Sequence, residues 1–434
     1  MSLTQPIAVV AGARTPFCKA FSDMRHISAV ELGRVALVEA LRRSDLPADG
    51  VGEVVIGNVA GPPDAANIAR VIALKAGVPI DRVAHTVNRN CASGMESILA
   101  SWQAISAGRA DVVVAGGTES MSNIPLLFNR GATEIWTRLG RAKTMGQRLR
   151  ALASFRPRHF KPVVGIELGL TDPVCGMSMG ETAEVLAKEF GITRQQQDQF
   201  ALESHQKAEA AQTECFLSGE IAIVESDGGN AIERDNGIRY GQSLEQLAKL
   251  RPIFDRRGTV TAGNSCQISD GAAAVVLMDG KWADRLPKPP VGFITNYAVA
   301  GCDPKRMGLG PVYATAKLLQ KTGLQLSDFD LIEINEAFAA QVIACQRAMA
   351  SKQFAQTELG VSEPVGEIDP ERLNPHGGAI AIGHPVGTTG TRLVITLLRS
   401  LHAKQMRRGL ATLCVGGGQG VAMVVETTIQ GETK

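Results

Sequence analysis

A strand–turn–helix pattern that occurs twice along the 434 residues constrains the fold most strongly. The first copy is predicted to contain strands at 51–59, 84–88 and 111–115 and helices at 65–75 and 95–107. The second copy is predicted to contain strands at 329–334 and 410–415 and helices at 337–349 and 391–401. A further strand ends each half, at 271–279 and 420–426. Apolar strands alternating with helices predict parallel sheets covered on both faces, so we expect an α/β protein with two duplicated halves.

Residues 122–251 interrupt this pattern and are expected to form an insertion of loops and short helices. Its segment 130–161 contains nine Lys and Arg residues and one acid, Glu134. Within it, Met145, Leu149 and Leu152 fall on one helical face. A basic amphipathic helix lies on an anionic membrane, docks a partner or attracts a polyphosphate ligand; the alternative is a solvated face over a local core.

Composition excludes several classes of protein. The net charge of +2 gives no argument for nucleic-acid binding. The eight cysteines form no CxxC pair and show no zinc spacing, so we expect no metal site and a reducing compartment. The N-terminal residues lack a basic segment followed by a long apolar one, and no run of about 18 apolar residues occurs. We therefore expect a cytoplasmic protein.

Cys91 is the first candidate nucleophile, since it lies in a small-residue turn between a predicted strand and a helix. The free N–H groups and partial positive charge at a helix N-terminus favour the thiolate and lower the pKa of a thiol. An isolated cysteine is more often a small buried apolar residue. The functional interpretation therefore depends on a partner elsewhere in the chain.

His384 is that partner, within the sequence Gly383-His384-Pro385. This Gly-rich turn precedes the helix of the second half, at the position that corresponds to the Cys91 turn. If the halves pack with pseudo-twofold symmetry, the two turns face each other. A Cys–His pair is a standard means of generating a thiolate at neutral pH.

Two more positions complete the candidate site. Cys414 ends a predicted strand before Gly416-Gly417-Gly418, where a second thiol is suited to proton transfer and the backbone N–H groups to oxyanion binding. The alternative for Cys414 is a buried strand residue. Asn335 lies at a strand-to-helix junction, where it either caps the helix or holds a water against a developing enolate oxygen.

Together these segments resemble the motifs of the thiolase family. They are similar to its nucleophile, Asn-Glu-Ala-Phe, Gly-His-Pro and second-cysteine motifs, in the same order over nearly the whole chain: residues 88–94, 335–339, 377–385 and 414–420. Residues 258–264 and 270–274 also match. The segments 142–149 and 247–252 look closest to the thiolase subunits of fatty-acid β-oxidation multienzyme complexes, although those subunits often have His at the position of Asn335.

The resemblance implies a five-layered αβαβα fold. It implies an N-terminal half of residues 1–121 plus 252–281, an inserted loop domain of residues 122–251 that holds CoA, and a C-terminal half of residues 282–434. Homodimers or homotetramers are also expected from the family.

The resemblance further implies residue roles. His384 activates Cys91, which attacks the 3-keto carbon and becomes the acyl-thioester. The departing acetyl-CoA enolate is held by His384 and a water on Asn335, and Cys414 protonates it. The backbone N–H groups of Cys91 and Gly416 stabilise the second oxyanion. Expected substrate contacts are Ser178, Met179, Cys266, His376 and Phe338. CoA is a co-substrate, and no permanently bound cofactor is expected.

Three functions stay open on the sequence. The first is cleavage of 3-ketoacyl-CoA by CoA in fatty-acid β-oxidation, and the second is condensation of two acetyl-CoA molecules by an acetoacetyl-CoA thiolase. The third is a non-catalytic scaffold that binds acyl-CoA or a partner. Segment 130–161 is predicted to bind a hydratase/dehydrogenase subunit or an anionic membrane.

Overall fold

The computed structural model describes residues 5–226, 228–286 and 288–428, and the predicted domain ends at residues 1 and 434 lie outside these ranges. The strands are β1 Ile7–Arg14, β2 Cys18–Lys19, β3 Glu53–Gly57, β4 Val83–Val87, β5 Val112–Ser120, β6 Leu126–Leu127, β7 Val163–Val164, β8 Val224–Glu225, β9 Ala231–Ile232, β10 Ser269–Asp279, β11 Gly292–Gly301, β12 Leu331–Ile334, β13 Arg408–Val415 and β14 Gln419–Glu426.

The helices are α1 Ala29–Ser44, α2 Ile68–Lys75, α3 Ser93–Ser106, α4 Arg130–Arg141, α5 Met145–Ala153, α6 Gly165–Gly169, α7 Met179–Glu189, α8 Arg194–Thr213, α9 Leu244–Ala248, α10 Gly310–Thr322, α11 Ala339–Ala350, α12 Lys352–Phe354, α13 Ala379–Ile382 and α14 Thr389–Ala403. In the part of the chain that the structure describes, no helix is long and apolar enough to cross a membrane.

The main strands follow the order β12-β13-β14-β11-β1-β10-β5-β3-β4. The predicted parallel pairing is wrong in part: β3 runs parallel to β4 and β5, and β12 to β13, but β10 and β14 pair antiparallel with their neighbours. Strands β13 and β14 are joined directly by Gly416–Gly418, and such a short connection permits only antiparallel pairing, because parallel neighbours need a crossover.

The two halves have the same strand order, as the repeated pattern predicts. The series β3-β5-β10-β1 of the first half corresponds to β12-β13-β14-β11 in the second. At the position equivalent to β4, the described residues of the second half form an isolated parallel bridge between Ile332 and Leu373 in place of a strand. One apolar core lies between the first-half strands and α1 and α2, and a second lies between the second-half strands and α10 and α11.

The pairing of β1 with β11 joins the two halves into one continuous sheet, and helices α3 and α14 lie in a third core between the two halves of that sheet. The layers are therefore helix, sheet, helix, sheet, helix, and the predicted five-layered αβαβα fold is confirmed. A Cβ on Gly94 would lie 2.8 Å from the backbone nitrogen of Thr391, and one on Gly390 would lie 2.5 Å from that of Met95. This reciprocal contact brings the N-termini of the two central helices together, along with the turns that precede them.

The insertion differs from its prediction in one respect. Helix α8 spans 20 residues, where only short helices were expected. Its buried positions are mostly alanine and polar residues, for example Ala201, Ala208 and Gln197. The apolar periodicity that identifies a helix in sequence is therefore weak, because small and polar side chains supply the packing face.

Candidate active site

The Cys91 turn is held by its own backbone and by the second half of the chain. Asn90 adopts a left-handed conformation with φ of 44°, and the Ser93 hydroxyl donates to its carbonyl oxygen over 2.7 Å. The Asn90 side-chain amide donates to the carbonyl oxygen of Gly416 over 2.7 Å. Arg89 Nη1 donates to Gln419 Oε1 over 2.8 Å. These contacts join the nucleophile turn to the turn that follows Cys414.

The expected lowering of the Cys91 pKa is wrong for this structure. The residue is partly buried, and burial raises the pKa of its thiol. The backbone N–H groups of Gly416 and of Cys91 itself act in the opposite direction, because they favour the thiolate. These are the two N–H groups that were predicted to form an oxyanion site. A base is therefore needed to form the thiolate.

Two further thiols lie within electrostatic range of Cys91. Cys414 is buried near the end of β13, and burial raises its pKa well above the ordinary value, with added contributions from Cys91 and Cys266. Burial, followed by Cys91, raises the pKa of Cys266 to about 12. All eight cysteines, which lie among the described residues, are free. A buried Cys414 stays protonated at neutral pH and is suited to donate a proton.

His384 is buried in the turn before α14, and its two ring nitrogens have different surroundings. Nδ1 lies 2.6 Å from the Thr389 hydroxyl oxygen, which itself donates to the carbonyl oxygen of Pro385 over 3.1 Å. Because that hydroxyl has one hydrogen, we assign the ring proton to Nδ1. Nε2 is buried and has no hydrogen-bond partner among the described residues. Nε2 is then the basic nitrogen that is available for a thiol proton.

Burial, followed by the charge of Arg392, lowers the pKa of His384 to about 3. The imidazole is therefore neutral at physiological pH and able to accept a proton. Thr389, which sequence analysis missed, is the side chain that orients it. A threonine five residues after the histidine in a Gly-rich turn was the only available signal, and it does not distinguish a ring-orienting hydroxyl from an ordinary helix-start residue.

Asn335 follows β12 directly and is fully buried. The capping alternative is wrong, because α11 begins at Ala339 with Phe338 as its N-cap. Neither side-chain atom, Oδ1 or Nδ2, has a hydrogen-bond partner in the described part of the chain. A buried amide without partners costs about 1–3 kcal/mol per group, which such sites ordinarily avoid by binding water. The side chain thus has the free capacity that a water-holding role requires.

A cavity of about 480 Å³ is lined by His384 and Cys266, whereas Cys91, Cys414, Asn335 and Gly416 are not among its lining residues. It brings together His384, Cys266, Phe338, Met179 and Ser178, five of the residues singled out in the sequence. Other lining side chains are mostly apolar and include Phe21, Met121, Leu170, Ile253, Phe254 and Val386. Such a lining suits an aliphatic chain with a few polar groups at one end.

Met179 connects the cavity to the turn that follows Cys414, since a Cβ on Gly416 would lie 3.2 Å from the Met179 sulfur. Ser178 is the N-cap of α7, and its hydroxyl accepts from the backbone of Glu181 over 3.3 Å. It therefore has a structural role at the cavity wall in addition to the predicted substrate contact.

His376 does not line this cavity. Its ring stacks on Phe216 with centroids 3.6 Å apart, and burial, followed by Lys404 and Arg399, lowers its pKa to about 4. The structure therefore places His376 in a packing role outside the cavity, although it belongs to the same segment as His384.

The arrangement of two thiols, a neutral imidazole and an unpartnered amide around duplicated halves defines the class of the protein. The family model "Thiolase, N-terminal domain" matches residues 7–281, and "Thiolase, C-terminal domain" matches residues 288–427. The chain belongs to the thiolase family, as its motifs indicated.

Individual relatives agree with this assignment. The chain is 40% identical over 423 residues to a 3-ketoacyl-CoA thiolase of Klebsiella pneumoniae, which covers 97% of this chain and 96% of the relative. A 3-ketoacyl-CoA thiolase of Escherichia coli is 39% identical over 424 residues, with the same coverage of both chains.

Solved structures show the same fold. Human mitochondrial 3-ketoacyl-CoA thiolase in complex with CoA superposes with a TM-score of 0.86 at 34% identity, and covers 99% of each chain. Bacillus anthracis acetyl-CoA acetyltransferase gives a TM-score of 0.85 at 34% identity, and covers 98% of this chain and 100% of that one.

Proposed function

We propose that this thiolase cleaves 3-ketoacyl-CoA with CoA, in fatty-acid β-oxidation, to acetyl-CoA and a shortened acyl-CoA. The observation that supports it best is Nε2 of neutral His384, which has no partner among the described residues and belongs to a residue that lines an apolar cavity together with Cys266. Cys266 in turn lies within electrostatic range of Cys91 and Cys414. CoA is a co-substrate in this reaction, and no permanently bound cofactor takes part.

In the first half-reaction, His384 Nε2 takes the proton from Cys91. The thiolate attacks the 3-keto carbon of the substrate, and the C2–C3 bond breaks. The electron pair passes to the acetyl-CoA enolate, whose oxygen is stabilised by protonated His384 and by a water on Asn335. Cys414 donates its proton to C2, which releases acetyl-CoA and leaves the shortened acyl group on Cys91.

In the second half-reaction, the Cys414 thiolate takes the proton from CoA. The CoA sulfur attacks the acyl-enzyme carbonyl, and the backbone N–H groups of Cys91 and Gly416 stabilise the resulting oxyanion. Collapse of this intermediate expels Cys91, which recovers its proton from His384. Cys91, His384 and Cys414 all end in their starting protonation states. The same steps in reverse give condensation.

Replacement of Cys91 tests this mechanism. We expect Cys91→Ala to abolish thiolysis and to leave no acyl group on the protein after incubation with acetyl-CoA, whereas the wild type is acylated at residue 91, as read by peptide mass spectrometry. Cys215→Ala, at an exposed cysteine outside the cavity, is the matched control. Unchanged thiolysis in Cys91→Ala would contradict the assignment, and absence of acylation in the wild type would favour the non-catalytic scaffold.

The acetoacetyl-CoA thiolase alternative differs in acyl chain length. The apolar lining and the volume of about 480 Å³ favour substrates longer than acetoacetyl-CoA. A series of 3-ketoacyl-CoA substrates from four to sixteen carbons distinguishes the two, since we expect kcat/KM to rise with chain length. A maximum at four carbons would favour the condensing enzyme.

We also propose that the predicted loop domain, residues 122–251, holds CoA at the cavity mouth. The cavity lining includes Ser178, Met179, Leu170 and Arg239 from this segment. Arg239 is the cationic member and is suited to the negative charges of CoA. Arg239→Gln is expected to raise the KM for CoA with little change in kcat.

Segment 130–161 is proposed to bind a hydratase/dehydrogenase subunit or an anionic membrane. The alternative of a basic face over a local core is supported in part, since Ala132, Ile135 and Ala151 are buried, but Met145 and Leu149 are 66% and 61% exposed. Leu126, Phe128, Trp136, Leu152 and Phe160 nearby are also exposed. Exposed apolar and basic side chains together are typical of a docking face.

Charge reversal tests this surface. The triple variant R141E/R148E/R150E is expected to lose co-sedimentation with anionic vesicles, or co-purification with the hydratase/dehydrogenase subunit. R42E/R82E/R372E reverses three exposed arginines elsewhere and is the control. Binding that persists in R141E/R148E/R150E would show that the segment does not bind this partner or membrane.

We propose a homodimer or homotetramer in solution. In the described residues, strand β4 pairs only with β3, and Ile80 and Val83 near its start are highly exposed. An exposed apolar sheet edge is a ready template for pairing with another copy. Sedimentation equilibrium is expected to give a multiple of the chain mass, and a monomer at micromolar concentration would contradict this.

A further inference from the structure

One buried carboxylate, Glu119 at the end of β5, contacts the segment that contains His384. Its side chain is fully buried. Oε2 accepts from the backbone N–H of Gly387 over 3.0 Å and from that of Val59 over 3.0 Å. Oε1 accepts from the backbone N–H of Ala60 over 3.0 Å and from the Asn58 amide over 3.1 Å. These four donors come from both halves of the molecule.

The contact with Gly387 is part of a close approach between the halves. A Cβ on Gly117 would lie 2.0 Å from the carbonyl oxygen of Gly387, so β5 and the turn are in direct backbone contact. Gly117 and Glu119 are two residues apart on one strand and therefore point to the same side. Thr388 adds a hydrogen bond from its hydroxyl to the carbonyl oxygen of Gly271 over 2.9 Å.

The same turn fixes the imidazole. His384 lies three residues before Gly387, and Thr389, which holds the His384 Nδ1, lies two residues after Gly387. Displacement of the Gly387 backbone would therefore move both His384 and Thr389, and with them the direction of Nε2. The described residues that hydrogen bond to Glu119 include no cation, so its contacts are with backbone N–H groups and one amide. Burial raises the pKa of Glu119 to about 7, and the backbone N–H groups of Ala60, Val59 and Gly387 oppose that rise by favouring the carboxylate.

We propose that Glu119 is a positioning residue for the proposed thiolase reaction: it holds the His384 turn of the second half against the Cys91 half, so that Nε2 stays aligned with the Cys91 thiol. The expected loss of kcat rests on the proposed function, whereas the expected displacement of the His384 turn does not. Glu119 does not line the cavity, and its charge acts directly on the Cys91 thiol only by raising its pKa. Its positioning effect on the reaction passes through the backbone of Gly387.

Glu119→Gln tests the proposal, because the amide keeps the size of the side chain but replaces one acceptor oxygen with an N–H donor that faces backbone N–H groups. Misplacement of a catalytic group by about 1 Å costs up to about a hundredfold in rate. We expect kcat to fall about tenfold or more while KM for the 3-ketoacyl-CoA stays within about twofold of wild type.

The second readout is the rate at which iodoacetamide alkylates Cys91, followed by peptide mass spectrometry across a series of pH values. Loss of the Glu119 charge by itself lowers the pKa of Cys91, so a purely electrostatic role predicts faster alkylation at neutral pH, and that result would overturn the proposal. We expect slower alkylation in Glu119→Gln, with the midpoint of its pH profile moved upward, since a misaligned His384 accepts the thiol proton less well. Glu53→Gln is the matched control: Glu53 is buried at the opposite end of the neighbouring strand β3 and contacts Arg109 and His85. Its melting temperature is expected to fall with no change in the alkylation profile.

The outcomes separate the alternatives. A Glu119→Gln enzyme with a wild-type alkylation profile and unchanged kcat overturns the proposal, and so does a variant that differs only in melting temperature, as Glu53→Gln is expected to. If Glu119→Gln does not fold, Glu119→Asp replaces it; its carboxylate is one methylene shorter, and an unchanged alkylation profile in that variant likewise overturns the proposal. If the wild type shows no thiolysis, the proposed function fails, while the alkylation profiles still decide the role of Glu119.

Discussion

At the scale of the residue, the site contains buried polar groups with one or more atoms that have no hydrogen-bond partner among the described residues. Within the described part of the chain, His384 Nδ1 contacts Thr389 while Nε2 has no hydrogen-bond partner, and neither polar atom of the Asn335 amide has one. Leaving such atoms without partners is costly in a core, and the cost is consistent with atoms that must bind reacting groups. Cys91 sits beside backbone N–H groups but has its pKa raised by burial, so its reactivity depends on the imidazole.

Thr389 provides a direct test of the histidine tautomer. Thr389→Val keeps the shape but removes the acceptor of the Nδ1 proton, so we expect kcat to fall about tenfold to a hundredfold, as for other misoriented catalytic groups. Thr389→Ser retains the hydroxyl and is expected to restore most of the activity. Steady-state thiolysis measures both. Equal activities in the Val and Ser variants would show that the hydroxyl does not orient the ring.

His376 predicts how stability depends on pH. Its folded-state pKa is lowered to about 4, so the unfolded chain binds more protons between about pH 4 and 6.5 and stability falls as the pH drops through this window. His376→Phe keeps a ring on Phe216 but cannot be protonated. In urea unfolding, we expect the free energy of unfolding of the variant, relative to that of the wild type, to rise by about 1 kcal/mol on going from pH 7 to pH 5. A constant difference between the two pH values would contradict this.

At the scale of the element, the central helices α3 and α14 determine where the chemistry occurs. Their N-termini approach so closely that Gly94 and Gly390 each oppose the backbone of the other helix. The turns that precede the two helices contain Cys91 and His384. Strand β5 contacts the turn that contains His384 through Gly117 and Glu119. Two helices and one strand from different halves are therefore packed together around this turn.

Gly117→Ala tests that contact between elements. The added Cβ would lie 2.0 Å from the Gly387 carbonyl oxygen. The backbone of the turn must move to relieve this clash. Overpacking of this kind costs about 1–3 kcal/mol, and we expect a loss of kcat in addition, because His384 moves with the turn. Gly140→Ala, within exposed helix α4 and with no atom within 4 Å, is the control and is expected to stabilise by about 0.5–1 kcal/mol. Thermal unfolding and thiolysis measure both effects.

At the scale of the whole molecule, the insertion is attached to the first half by a buried ion cluster. Arg14 of β1 is fully buried and donates to Glu220 over 2.6 Å and to Asp235 over 2.6 and 2.8 Å. Thr396 of the central helix α14 donates to Glu220 as well. The cluster thereby connects the inserted segment to a strand of one half and to a helix of the other.

Arg14→Met is expected to lower the free energy of unfolding by about 3–5 kcal/mol, because it leaves two buried carboxylates without their cation. Arg34→Met is the control, since Arg34 pairs with Glu31 on the partly exposed surface of α1, where such pairs contribute about 0–1 kcal/mol. Denaturant unfolding gives both values. Similar losses in the two variants would show that the cluster contributes no more than a surface pair.

The sequence by itself determined the strand and helix alternation and the duplication, which depend on periodicity, and the motifs around Cys91, His384, Cys414 and Asn335, which are short runs of residues. The resemblance of those motifs to the thiolase family implied the five-layered class. Only the tertiary structure decided the mixed strand directions, the length of α8, the raised pKa of Cys91, the position of His376 outside the cavity, and the roles of Thr389 and Glu119. The physical reason is range: Glu119 and Gly387 are 268 residues apart in the chain yet 3.0 Å apart in space. Local patterns contain no record of such contacts, because packing of the two halves creates them.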